Sequence, residues 1–119
     1  MRELCGGRSW LSGPQVGRLR TEYRVYTTVR RFQVRGTPAA VGRRLEQGVV
    51  PLVTRAPGFR SYAVLDAGAG VLLTITVFMD RTAAEEVERL AAAWVAENLG
   101  RLLVPEDTAC GDVLVYAGL

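Results

Sequence analysis

The stretch Val71–Met79, which opens VLLTITVF, constrains this 119-residue chain more than any other. It is rich in β-branched and large apolar residues and carries no glycine, proline or charge, so it reads as a strand. Its two faces are Val71, Leu73, Ile75, Val77 and Leu72, Thr74, Thr76, Phe78, because side chains alternate along a strand. A strand this apolar on both faces belongs inside a sheet that is covered on both sides. The chain must therefore supply strands to flank it, helices for one face and something for the other.

The flanking strands are legible. Thr21–Val34, TEYRVYTTVRRFQV, alternates, with Tyr23, Val25, Thr27 and Val29 on one face and Arg24, Tyr26, Thr28, Arg30 and Phe32 on the other. Phe59–Asp66 follows the turn signal Ala56-Pro57-Gly58, and Asp66–Gly70 joins it to the apolar strand as a hairpin with glycines for positive φ. A last strand is expected at Gly111–Tyr116, after a loop at Pro105–Thr108.

Two helices fit between them. Thr37 is an N-cap with Pro38 at the first helical position, and Ala40, Val41 and Leu45 form the apolar stripe. Gly48 stops this helix, with a further helical turn possible around Pro51 up to Val53. Asp80 caps the second helix, Arg81–Leu99, which Gly100 ends. Its inward stripe is expected to be Val87, Leu90, Ala91, Trp94, Val95 and Asn98, with Glu85 and Arg89 paired on the surface.

The order β-α-β-β-α-β predicts an α+β, ferredoxin-like domain at 21–119 with a four-stranded antiparallel sheet. Two helices cover one face of such a sheet. The other face is partly apolar, and a second copy is the simplest cover, so a homodimer is expected.

Composition narrows the partners. The net charge is +3, and Met1–Arg20 holds four arginines against one acid, so this basic leader carries the whole excess and the remainder is neutral. A nucleic-acid-binding domain carries its excess on the folded body, so no nucleic-acid partner is expected. No apolar run has the length of a membrane helix, and the first twenty residues lack a signal-peptide core; a cytoplasmic protein is expected. Gly6-Gly7 and Gly13-Pro14 break any pattern in the leader, which reads as a flexible segment.

The chemistry is bounded by what is missing. There is no histidine, and every basic residue is an arginine. Histidine-based triads, histidine-ligated haem and lysine Schiff bases are all excluded. Cys5 and Cys110 make no metal motif, and in a cytosolic setting a disulfide between them is not expected. Neither a metal nor an organic cofactor is indicated.

The run from Pro51 to Leu99 resembles the dimeric α+β barrel proteins related to antibiotic-biosynthesis monooxygenases. The similarity lies in Ala56-Pro57-Gly58-Phe59 leading into a strand, the strand end Val77-Phe78-Met79-Asp80, and the helix with Ala83-Ala84-Glu85 and Trp94. It covers roughly Tyr23–Tyr116. The resemblance implies two facing sheets in a dimer and an apolar pocket between sheet and helices. It also implies, for some members, oxidation of polycyclic aromatic compounds by dioxygen without metal or flavin. Haem-degrading members share an Asn, Trp and His set, and this chain lacks the His.

No residue is assigned as catalytic. Candidates for a pocket that binds a small apolar or aromatic molecule are Trp94, Asn98, Tyr26, Tyr62 and Phe78. Trp94 and Asn98 lie four apart on one helix face, as a pocket wall with an amide or as a core Trp and a helix-end Asn. The three strand aromatics orient a phenolic ligand or simply pack the sheet. Arg24, Arg30, Arg31 and Arg35 form an anionic-ligand entrance or a solvated edge. Two functions fit: cofactor-independent oxidation of an aromatic, polyketide-like molecule, or a non-catalytic binding or carrier module using the same pocket.

Overall fold

The apolar strand does sit inside a sheet. In the computed structural model, which describes residues 25–117, β3 (Val71–Phe78) lies between β1 (Tyr26–Val34) and β2 (Phe59–Gly68). The fourth strand, β4 (Leu103–Asp112), pairs with the far side of β1, and the order is β2-β3-β1-β4 with every pair antiparallel. The leader Met1–Arg20 and the first residues of the expected opening strand lie outside the described residues.

The helices all lie on one face. Thr37 is the N-cap of α1 (Pro38–Gly48) by backbone geometry alone, without a side-chain bond. α2 (Val50–Thr54) follows almost at once as the extra turn around Pro51. Asp80 caps α3 (Arg81–Leu99), its carboxylate accepting from the amides of Thr82 at 3.0 Å and Ala83 at 3.4 Å. The β2–β3 hairpin turns through Ala69 at φ 54° and Gly70 at φ 77°. Two consecutive positive φ values match the twist of the strands they join.

Four expectations are corrected. The last strand begins at Leu103, and Pro105–Thr108 belongs to it rather than to a loop. Pro105 is tolerated there because β4 is an edge strand and its register with β1 shifts between Arg31 and Phe32. On α3 the buried residues are Ala84, Val87, Val95 and Leu99, while Leu90 and Asn98 are exposed. Glu85 accepts from Arg81 at 2.9 Å, so Arg89 turns instead to Glu86 at 2.6 Å. Cys110, on β4, is disulfide-bonded; the expectation of a thiol rested on cellular compartment, not geometry. The chain's other cysteine, Cys5, lies outside the described residues.

The core fills the space between helices and sheet. Val41 and Leu45 of α1, Val49 and Val53 beside them, and Val87, Val95 and Leu99 of α3 meet Phe32, Leu72, Phe78 and Leu103 from the strands. Among the described residues no helix lies on the opposite sheet face. Cross-strand neighbours there form an apolar row of Ala63, Ile75, Val29 and Ala109, and in the next row Leu65 and Leu73 stand beside Arg31. Leu65 is left 45% exposed. Among the described residues no helix is long and apolar enough to cross a membrane.

Candidate functional site

The covered face of the sheet is apolar at its ends and polar in the middle. Phe32 and Leu72 stand at one end, Tyr26 and Phe78 at the other. Between them the paired residues are Thr28 with Thr76 and Arg30 with Thr74. Thr28, Thr74 and Thr76 are buried. A packed core normally places apolar side chains at its centre, so polar groups there need a reason.

Above this polar row α3 is built from small residues. Ala91, Ala92 and Ala96, with the C-cap Gly100, line the same space as Thr74 and Thr76, and their short side chains leave it unfilled. The result is a partly open cavity of about 260 Å³, bordered by Phe32, Val49, Val53, Val95, Leu103 and Pro105. Among the described residues, three polar side chains besides the threonines reach it: Arg30 of β1, Tyr62 of β2 and Glu88 of α3.

Arg30 and Glu88 form an ion pair inside this wall. The Arg30 Nε–H donates to Glu88 Oε1 at 3.0 Å, and the side chains are only 18% and 12% exposed. This pair links strand to helix across 58 residues of sequence. Charges this far out of water interact more strongly than surface pairs and are screened less by salt.

Tyr62 completes the polar set. Burial pushes its phenol well above the ordinary range, the Glu88 carboxylate pushes it further, and Arg30 opposes both. The hydroxyl is therefore neutral at physiological pH and able to donate a hydrogen bond into the cavity. A folded-state value above the unfolded one of about 10 means stability that is complete below pH 10 and lost as pH rises toward the folded value. Tyr62→Phe should remove about 1.4 kcal/mol per pH unit from the slope of stability above pH 10, read by urea unfolding across pH. Tyr26, also raised chiefly by burial, keeps its own share of that slope in the variant.

Of the aromatic and amide residues singled out in the sequence, the structure brings only Tyr62 to this cavity. Trp94 packs against the core with its ring over Gly48. The Asn98 side-chain N–H donates back to the Trp94 carbonyl at 2.9 Å, and the Asn98 carbonyl accepts from Arg44 at 3.4 Å. Tyr26 lies under the Arg81 guanidinium, 5.2 Å from ring centroid to carbon. Phe78 meets Phe59 edge to face at 5.9 Å. Of the arginines, Arg30 enters the cavity, Arg31 pairs with Glu106 at 3.0 Å, Arg35 is exposed and Arg24 lies outside the described residues. Glu88 had no distinguishing mark in a helix with three other glutamates.

No protein-family model matches the sequence, and no curated protein does. Solved structures do match in fold. The NE2512 protein of unknown function from Nitrosomonas europaea aligns with a TM-score of 0.68 at 19% identity, over 82% of this chain and 97% of that one. SnoaB, a cofactor-independent oxygenase from Streptomyces nogalater, aligns with a TM-score of 0.56 at 21% identity, over 81% and 97%. A candidate antibiotic biosynthesis monooxygenase from Chloroflexus aurantiacus aligns at 0.60 and 15% identity, over 79% and 97%. The chain thus has the ferredoxin-like fold of the antibiotic-biosynthesis-monooxygenase-like proteins. At these identities the likeness is one of fold.

Proposed function

We propose that this protein binds a small aromatic molecule bearing an acidic hydroxyl or enol in the cavity between β1, β3 and α3, and oxidises it with dioxygen without a cofactor. The observation that carries this reading is the Arg30–Glu88 pair, set with the Tyr62 hydroxyl and two threonines in a cavity whose other walls are apolar. The fold shared with a cofactor-independent oxygenase is consistent with it.

The chemistry follows from those groups. A methylene between two aromatic rings and conjugated to a ketone loses a proton to the Glu88 carboxylate. The Arg30 guanidinium and the Tyr62 hydroxyl stabilise the enolate oxygen. The enolate passes electrons to dioxygen, and a carbon–oxygen bond forms to give a hydroperoxide. Loss of the second carbon-bound hydrogen with cleavage of the O–O bond releases water and leaves a ketone. The balance is methylene plus O₂ to ketone plus H₂O. Carbon loses four electrons, and dioxygen takes up the same four.

One observation favours a second reading. Glu88 is already held by Arg30 at 3.0 Å, and a paired carboxylate is a weaker base. The same cavity then holds a ligand without turning it over. Oxygen uptake by metal-stripped protein with a panel of anthrones separates the two. Turnover that falls about 100-fold or more in Glu88→Gln supports the oxygenase. Binding without uptake supports the carrier.

We further propose that two copies pair through the open sheet face, covering the rows around Val29, Leu73 and Ile75. A monomer by light scattering at micromolar concentration contradicts that pairing.

A further inference from the structure

The cavity of about 260 Å³ is smaller than the roughly 300–1,000 Å³ of ordinary small-molecule sites. A second, more open cleft of about 490 Å³ lies between α1 and the β2–β3 hairpin on the same face of the sheet. One residue, Tyr62, belongs to the walls of both. Tyr62 is a half-buried side chain on the edge strand β2, and among the described residues it is the one that lines both spaces.

The two halves differ in charge. The inner one holds an arginine beside its carboxylate. Among the described residues the outer one holds Glu46 and Asp66 and no basic group, with Gly42, Val50, Val64 and Leu72 making an apolar floor. An anionic end would be repelled there, while a neutral or cationic end would be accepted.

We propose that the inner cavity and the outer cleft are two halves of one ligand site, divided by Tyr62, for an elongated fused-ring molecule whose outer end is neutral or cationic. This rests on the aromatic-ligand reading above and specifies the length and charge of the substrate. The acidic ring sits by Arg30, and the remaining rings pass Tyr62 to lie over α1.

Gly42 provides the test. A Cβ added there meets no atom within 4 Å, so Gly42→Leu grows into the outer cleft, leaves the inner cavity alone and favours the helix. Binding to the full chain would be titrated calorimetrically with juglone as the short probe. The long probes would be an amino-substituted hydroxytetracenequinone and its carboxylate-substituted counterpart. Gly42→Leu should weaken the amino-substituted long probe about tenfold or more and change juglone by less than about twofold. Ala39→Phe, one turn earlier on the same wall, should do the same. Wild-type protein should prefer the amino over the carboxylate probe, and Glu46→Gln should narrow that preference. Long-probe affinity indifferent to both substitutions, with juglone still bound and still lost in Arg30→Met, overturns the two-part site and leaves the inner site standing. If neither probe binds wild-type protein, both readings fall.

Discussion

Arg30→Met should lower the free energy of unfolding by about 2–3 kcal/mol, and adding Glu88→Leu should return most of that loss. The single substitution keeps a carboxylate in a largely dry wall and removes the guanidinium that faces it at 3.0 Å. Breaking a fully buried pair costs about 3–5 kcal/mol, and the lower figure here reflects the 18% and 12% exposure of the two side chains. The double variant exchanges the pair for apolar groups of similar length, which a cavity walled by Phe32, Val53 and Val95 can accommodate. Urea unfolding of the two single variants and the double one gives the coupling. Additive losses would mean that the pair is not a unit. The double variant serves function as well: it should fold, yet bind no acidic phenol, because the charge that selects the ligand is gone.

Gly48→Ala should cost about 2–3 kcal/mol, against the direction that helix propensity predicts. Alanine in place of glycine ordinarily helps a helix by up to about 1 kcal/mol. At Gly48, the last residue of α1, a Cβ would fall within the Trp94 ring. The indole must then shift from its place over Gly48, where it packs against the core. Trp94→Ala should itself cost about 3 kcal/mol by loss of that packing. In the Trp94→Ala background the Gly48→Ala penalty should vanish or change sign, because the obstruction has been removed. Equal penalties in both backgrounds, by thermal or urea unfolding, would show that the ring does not depend on that notch.

These two sites mark what could and could not be read from the chain. The strand Val71–Phe78 was legible because no other element is apolar on both faces, and the caps at Asp80 and Thr37 are local signals. The start of β4 was not, because Pro105 and Asp107 look like a loop until β1 is seen to pair with them. Glu88 was hidden for a similar reason. Four glutamates lie on α3, and only the packing angle of the helix selects the one that meets Arg30. The signals present were subtler: threonines at 74 and 76 where the covered face wants aliphatics, and alanines at 91, 92 and 96 opposite them. Trp94 and Asn98 stand out in the sequence by lying four apart on one helix face, yet their neighbours on α1 and their own helix backbone occupy them.

The most direct test is the structure of the complex with a dihydroxyanthraquinone, a product-like probe that is not turned over. The rings should lie between Thr74, Thr76 and Ala91, with a phenolic oxygen within hydrogen-bond distance of the Arg30 guanidinium or the Tyr62 hydroxyl. Rings seated on the open sheet face, or beside Trp94, with the space around Arg30 and Glu88 unchanged, would contradict the account.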